Sequence, residues 1–168
     1  MKVLVAYASK HGGTAEIADA IAAQLRERGL DVDERPVAEA TLGDHDAVVL
    51  GSAVFVGSWM KEAVAFAQAN RTALEAIPVW AFSSGPTDDS SEHAVSEKQH
   101  AQIEALLKPR EHQVFGGVLD PATLGFVERR VVKMVKAPIA DRRDWDEIRA
   151  FADRVGDALV GAEPVRSS

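Results

Sequence analysis

LVAYASKHGGTAEIADAIAAQL, residues 4–25, decides the fold. The apolar run Val3-Leu4-Val5-Ala6 stops at Ser9-Lys10-His11-Gly12-Gly13-Thr14, and an alanine-rich helical pattern follows at once. A helix N-terminus presents unpaired N–H groups and a partial positive charge. Gly12 and Gly13 let the backbone curl close to a ligand, and Ser9 and Thr14 add hydroxyls. The turn is therefore suited to a phosphate. The plainer alternative is a strand-to-helix turn capped by Ser and Thr. Neither G-x-x-x-x-G-K-S/T nor G-x-G-x-x-G occurs, so a P-loop and a dinucleotide fingerprint are both excluded.

Outward from this unit the pattern repeats. Strands are expected at Lys2–Ala8, Asp31–Pro36 (an alternating edge strand), Ala47–Gly51, Pro78–Ser83 and Gln113–Leu119. Helical periods lie at Thr14–Arg28, Lys61–Asn70, Glu92–Leu107 and Asp144–Val160. Such alternation implies right-handed βαβ units and a doubly wound, five-stranded parallel sheet covered by helices on both faces. One domain over residues 1–161 is expected, with a frayed tail over 162–168. Asp120–Lys136 reads as an extra helical segment after the fifth strand. Its Arg129, Arg130, Lys133 and Lys136 are either a solvated face or a contact for a partner or a membrane surface.

In a doubly wound sheet, ligands sit beyond the carboxyl ends of the strands, where strand order reverses. Three loops converge there. The second, Gly51–Trp59, carries Phe55, Val56 and Trp59, which either line a flat aromatic ligand or pack under the next helix. The third, from Ser83 through Gly85 to Asp88 and Asp89, either caps the following helix or offers backbone hydrogen bonds to a ligand edge. A phosphate in the first loop and a planar ring between the other two have the shape of FMN.

At these residues the sequence resembles the flavodoxin family, whose phosphate loop reads Ser/Thr-x-Thr-Gly-x-Ser/Thr. Here His11 stands in place of the middle Thr. AVVLGSAVFVGSWMKEAVAFA (47–67), FGGVLDPATLGFVERRVVKMV (115–135) and RDWDEIRAFA (143–152) are similar to the flavodoxin-like menaquinone-dependent protoporphyrinogen IX oxidases and their flavodoxin-domain relatives. The resemblance implies a flavodoxin-like fold of strand order 2-1-3-4-5, non-covalent FMN and electron transfer through the flavin. It implies cofactor contacts from Ser9, Lys10, His11, Gly12, Gly13 and Thr14; from Ala53, Val54, Phe55, Val56, Gly57 and Trp59; and from Ser83, Ser84, Gly85 and Asp88. Either the peptide at Gly57 would lie beside the flavin N5 and turn over on reduction, or Gly57 only eases the turn, with the flip absent or placed at Val56. The flavin carries the chemistry, so no catalytic side chain is required. The region after the fifth strand is shorter than in the oxidases and lacks Tyr and Trp. Oxidoreduction of a quinone or porphyrinogen is the alternative to simple electron transfer.

The remaining residues set boundaries. Among 168 residues, 26 are acidic and 19 are Lys or Arg, a net charge of -7 that argues against nucleic-acid binding. With no cysteine, disulfides and thiolate metal sites are excluded. No metal is expected: His93 and His100 read as solvated. No secretory leader or membrane span is evident, so the expectation is a cytoplasmic protein. The expected partner is a redox protein or a quinone, with peripheral membrane contact through 120–136 and an oligomer both open. Trp145 is expected to anchor the last helix.

Overall fold

The computed structural model describes residues 1–10, 12–55, 58–85, 92–117 and 143–162. The chain runs β1 (Lys2–Ala8), α1 (Gly13–Glu27), β2 (Asp31–Pro36), a 3₁₀ turn (Val37–Glu39), β3 (Ala47–Phe55), β4 (Ser58–Trp59), α2 (Lys61–Ala69), α3 (Arg71–Glu75), β5 (Val79–Ser84), α4 (Glu92–Leu107), β6 (His112–Phe115) and α5 (Trp145–Ala162). The parallel sheet has the order β2-β1-β3-β5-β6, and β4 lies off this path, antiparallel to β3. Without that short strand the order is the expected 2-1-3-4-5.

Residue type explains the layering. In β1, Val3, Leu4, Val5 and Ala6 are all fully buried, as a central parallel strand with helices on both faces requires. β2 pairs with β1 and alternates, with charged Asp33, Glu34 and Arg35 near the rim, as befits an edge strand. Val3, Val5, Val49, Phe82 and Phe115 face one core with Ile17, Ile21 and Leu25 of α1 and Ile148, Phe151, Val155 and Leu159 of α5. Leu4, Ala6, Val48, Leu50 and Ala81 face the other, with Trp59, Ala63 and Phe66 from β4 and α2 and Ile103 from α4. The recurrence at i, i+4 and i+7 or i+8 places each helix's apolar stripe on the sheet. Each such large apolar side chain contributes roughly 1.5–3 kcal/mol by leaving water.

Several sequence expectations shift. β3 does not end at Gly51. It continues to Phe55 and turns back as β4, so half of the expected second loop is a hairpin. The reason is local: the Ser52 hydroxyl accepts from Met60 N–H at 3.0 Å and donates to Ala53 C=O at 2.8 Å, so a polar residue is satisfied inside a buried strand. β5 runs Val79–Ser84, and β6 is His112–Phe115 rather than Gln113–Leu119, of which 118–119 lie outside the described residues. The helix expected to Asn70 breaks there and resumes as α3, which the sequence did not suggest. α1 starts one residue earlier than expected, and α5 extends to Ala162. The Asp120–Lys136 segment lies outside the described residues.

Candidate functional site

Strand order reverses between β1 and β3, and their carboxyl ends sit side by side with that of β5. Ala8 pairs with Ser52 and Ser52 with Ser83; one residue on, Ala53 pairs with Ser84. The three loops predicted to meet therefore start from one edge of the sheet.

The first loop enters α1 through Gly12, whose φ is +88°. That left-handed geometry favours glycine. A Cβ built there would meet nothing within 4 Å, so no packed atom fills the space in front of Gly12. Ser9 Oγ accepts from Gly12 N–H at 3.0 Å and fixes the turn. The first helical hydrogen bond runs from Glu16 N–H to Gly12 C=O. The N–H groups of Gly13, Thr14 and Ala15 thus have no acceptor within the helix. This donor set and cradle fit an anionic phosphate. Thr14 is buried, Lys10 is exposed, and His11 lies outside the described residues.

In the second loop, Ala53 and Val54 are half-buried and Phe55 ends β3; Val56 and Gly57 lie outside the described residues. Trp59 packs in the core beneath α2, only 4% exposed, with its indole N–H donating to Ser83 Oγ at 2.8 Å. In the third, Ser83 is fully buried and Ser84 nearly so. Gly85, at φ +111°, donates its N–H to Phe115 C=O at 2.9 Å and turns the chain out of the sheet. Asp88 and Asp89 lie outside the described residues.

One residue below this edge, in register with Ala81, escaped the sequence reading. His112 Nε2 lies 2.7 Å from Ser83 Oγ, and its Nδ1 lies 2.8 Å from His100 Nδ1. His100, expected to be merely solvated, is exposed but bonds to a ring of β6. Burial pushes the His112 pKa down to about 4, and the neighbouring His100 adds to the effect. The expected strand began at Gln113, so no local pattern marked His112, which opens β6. Among the described residues, no group of three or more His, Asp or Glu could hold a metal ion. No helix among them is long and apolar enough to cross a membrane.

Comparison with known proteins agrees with this architecture. The model of the flavodoxin domain family matches residues 4–146. Protoporphyrinogen IX dehydrogenase (quinone) of Escherichia coli strain K12 is 23% identical over 171 residues, covering 92% of this chain and 94% of the relative. Among solved structures, a flavodoxin from the domain Archaea superposes with a TM-score of 0.58 at 16% identity, covering 95% of this chain and 99% of its own. Rubredoxin oxygen:oxidoreductase of Desulfovibrio gigas gives 0.63 at 16% identity, with 95% of this chain matched to 36% of that one. A flavodoxin, WrbA-like protein from Agrobacterium tumefaciens gives 0.60 at 14% identity, covering 96% and 99%.

Proposed function

The chain belongs to the flavodoxin domain family, and from that premise we infer which loops hold the cofactor and what the flavin exchanges electrons with. As a member it binds FMN and transfers electrons through the flavin. Bound there, the isoalloxazine supplies the redox chemistry; the protein supplies binding, orientation and electrostatics. The FMN phosphate lies in the Ser9–Thr14 turn, held by the first-turn N–H groups of α1. The ring lies between the β3–β4 hairpin loop and the loop after Gly85. The observation that carries this reading is the left-handed Gly12 turn, which opens α1 at the strand-order reversal with its first N–H groups lacking helical acceptors. A visible absorption spectrum of the purified protein tests it, followed by mass identification of the released chromophore. A colourless protein that binds neither FMN nor riboflavin overturns it.

The redox partner is a quinone in this proposal. The Escherichia coli relative, whose name specifies a quinone, matches nearly end to end. Porphyrinogen oxidation is a second reading favoured by the same relative. Anaerobically reduced protein mixed with a naphthoquinone should reoxidise within seconds. Protoporphyrinogen IX offered to the oxidised protein decides the second reading, by the appearance of porphyrin fluorescence. We propose peripheral contact with an anionic membrane through the basic residues Arg129, Arg130, Lys133 and Lys136, on the ground of their clustered charge in the sequence. Charge reversal, Arg129→Glu with Lys133→Glu, should leave FMN bound and abolish flotation with anionic vesicles.

A further inference from the structure

Four side chains from four elements form one polar string through the α4-facing core. Trp59 of β4 donates to Ser83 of β5; Ser83 meets His112 of β6; His112 meets His100 of α4. The rings support the same contacts: Trp59 and His112 stand edge to face with centroids 6.5 Å apart, and His100 and His112 at 4.4 Å. The string begins at a buried indole and ends at an exposed imidazole.

Its hydrogens can be ordered by counting donors. The indole N–H can only donate, so Ser83 Oγ accepts from it. The Ser83 hydroxyl is fully buried, and its only other partner among the described residues is the His112 ring. It must donate to His112 Nε2 or leave a buried O–H unpaired. His112 then carries its hydrogen on Nδ1 and donates to His100 Nδ1. The reverse order points two donors at Ser83 and strands its hydrogen. Every hydrogen is placed only when His112 is neutral and protonated on Nδ1.

We propose that His112 is a positioning residue for the flavin site: acting through Ser83, it holds Trp59, and with it the β3–β4 hairpin, against the end of β5. This rests on the FMN reading above, in which that hairpin's loop borders the isoalloxazine. Beside the burial of Trp59, the hairpin has few polar anchors among the described residues. β4 is two residues long and pairs with β3 alone, through Val54↔Trp59 and Phe55↔Ser58. The Ser52–Met60 bond fixes its exit, and the Trp59–Ser83 bond fixes its side chain. A hairpin so short takes its position from those two bonds and from the burial of Trp59 in the core.

The test separates the string from the flavin. In the full chain without flavin, the Trp59 indole N–H is followed by hydrogen exchange, its resonance identified by its loss in Trp59→Phe. His112→Leu should speed its exchange about fivefold or more, and His112→Gln, whose side-chain oxygen can replace Nε2 as acceptor, should restore slow exchange. With flavin, His112→Leu should weaken FMN and riboflavin by the same factor, about threefold to tenfold, because the ring site and not the phosphate site is altered. Gln should again restore binding. Indole exchange unchanged in His112→Leu overturns the string. Altered exchange with both flavin affinities within twofold of wild type overturns the positioning role. If His112→Leu fails to fold, Ser83→Ala gives the same readouts and must reproduce both effects. A wild-type protein with the slow indole but no flavin binding overturns the FMN reading instead.

Discussion

Gly51 and Phe82 face each other across β3 and β5, and the Phe82 ring occupies the space a side chain at Gly51 would need. A Cβ on Gly51 would lie 2.0 Å from Phe82 Cζ and 2.2 and 2.4 Å from the Cε atoms. The two are direct register partners. Phe82 in turn packs on Phe115, and Phe115 stands edge to face on Phe151 of α5, with centroids 6.1 and 5.6 Å apart. The missing side chain in β3 thus seats an aromatic stack that links the sheet to the last helix.

Gly51→Ala should therefore destabilise the fold by about 3 kcal/mol or more, at the upper end of overpacking effects because backbone and ring must both shift. Phe82→Leu in the same chain should recover part of the loss. Urea unfolding of the three variants checks this, with the double mutant more stable than Gly51→Ala alone.

Gly12→Val should cost about 1–2 kcal/mol of stability, since φ +88° strains a β-branched residue. Its Cβ meets no protein atom but enters the space assigned to the phosphate. FMN affinity should fall about tenfold or more while riboflavin affinity changes little. Parallel titrations of the two flavins make the comparison.

Ser52→Ala removes the acceptor for Met60 N–H. A loss of about 1–2 kcal/mol is expected, with the fold retained. Thermal unfolding by circular dichroism measures it.

Acid should loosen the protein through His112. Its folded pKa, about 4, lies below the ordinary value of 6.5. Between those values the unfolded chain binds a proton that the folded chain refuses, so stability falls as pH drops from about 6.5 to about 4 and this contribution levels off below. The ring is partly exposed, and solvent screening trims the effect to about 2 kcal/mol. Chemical denaturation across this range should show a shallower acid slope in His112→Gln than in wild type.

Much of this architecture was legible because it rests on local pattern. The unbroken apolar run of β1 and the Gly12-Gly13 turn mark a buried parallel strand feeding a helix. The alternation of β2 marks an edge. What escaped depends on partners distant in sequence. Ser52 looks like the end of a strand until its hydroxyl is seen to bond Met60, eight residues on. His112 draws no attention in the sequence, because its partner Ser83 lies 29 residues earlier. Trp59 stood open between ligand and core, and its burial against Ser83 places it in the core. The three candidate loops leave one edge of the sheet; His11, Val56, Gly57 and Asp88, which the resemblance names as cofactor contacts, lie outside the described residues.

The packing of α1 on α5 has a consequence for biosynthesis. Ile17, Ile21 and Leu25 are made early, yet they share a core with Ile148, Phe151, Val155 and Leu159. A ribosome adding about 5–20 residues per second leaves the α5-covered part of that face exposed for several seconds after α1 has emerged. A message truncated before codon 145 would yield a chain holding all six described strands, with the part of one apolar face that α5 covers left bare beside α1. Such a product is a natural client for holding chaperones and for proteolysis.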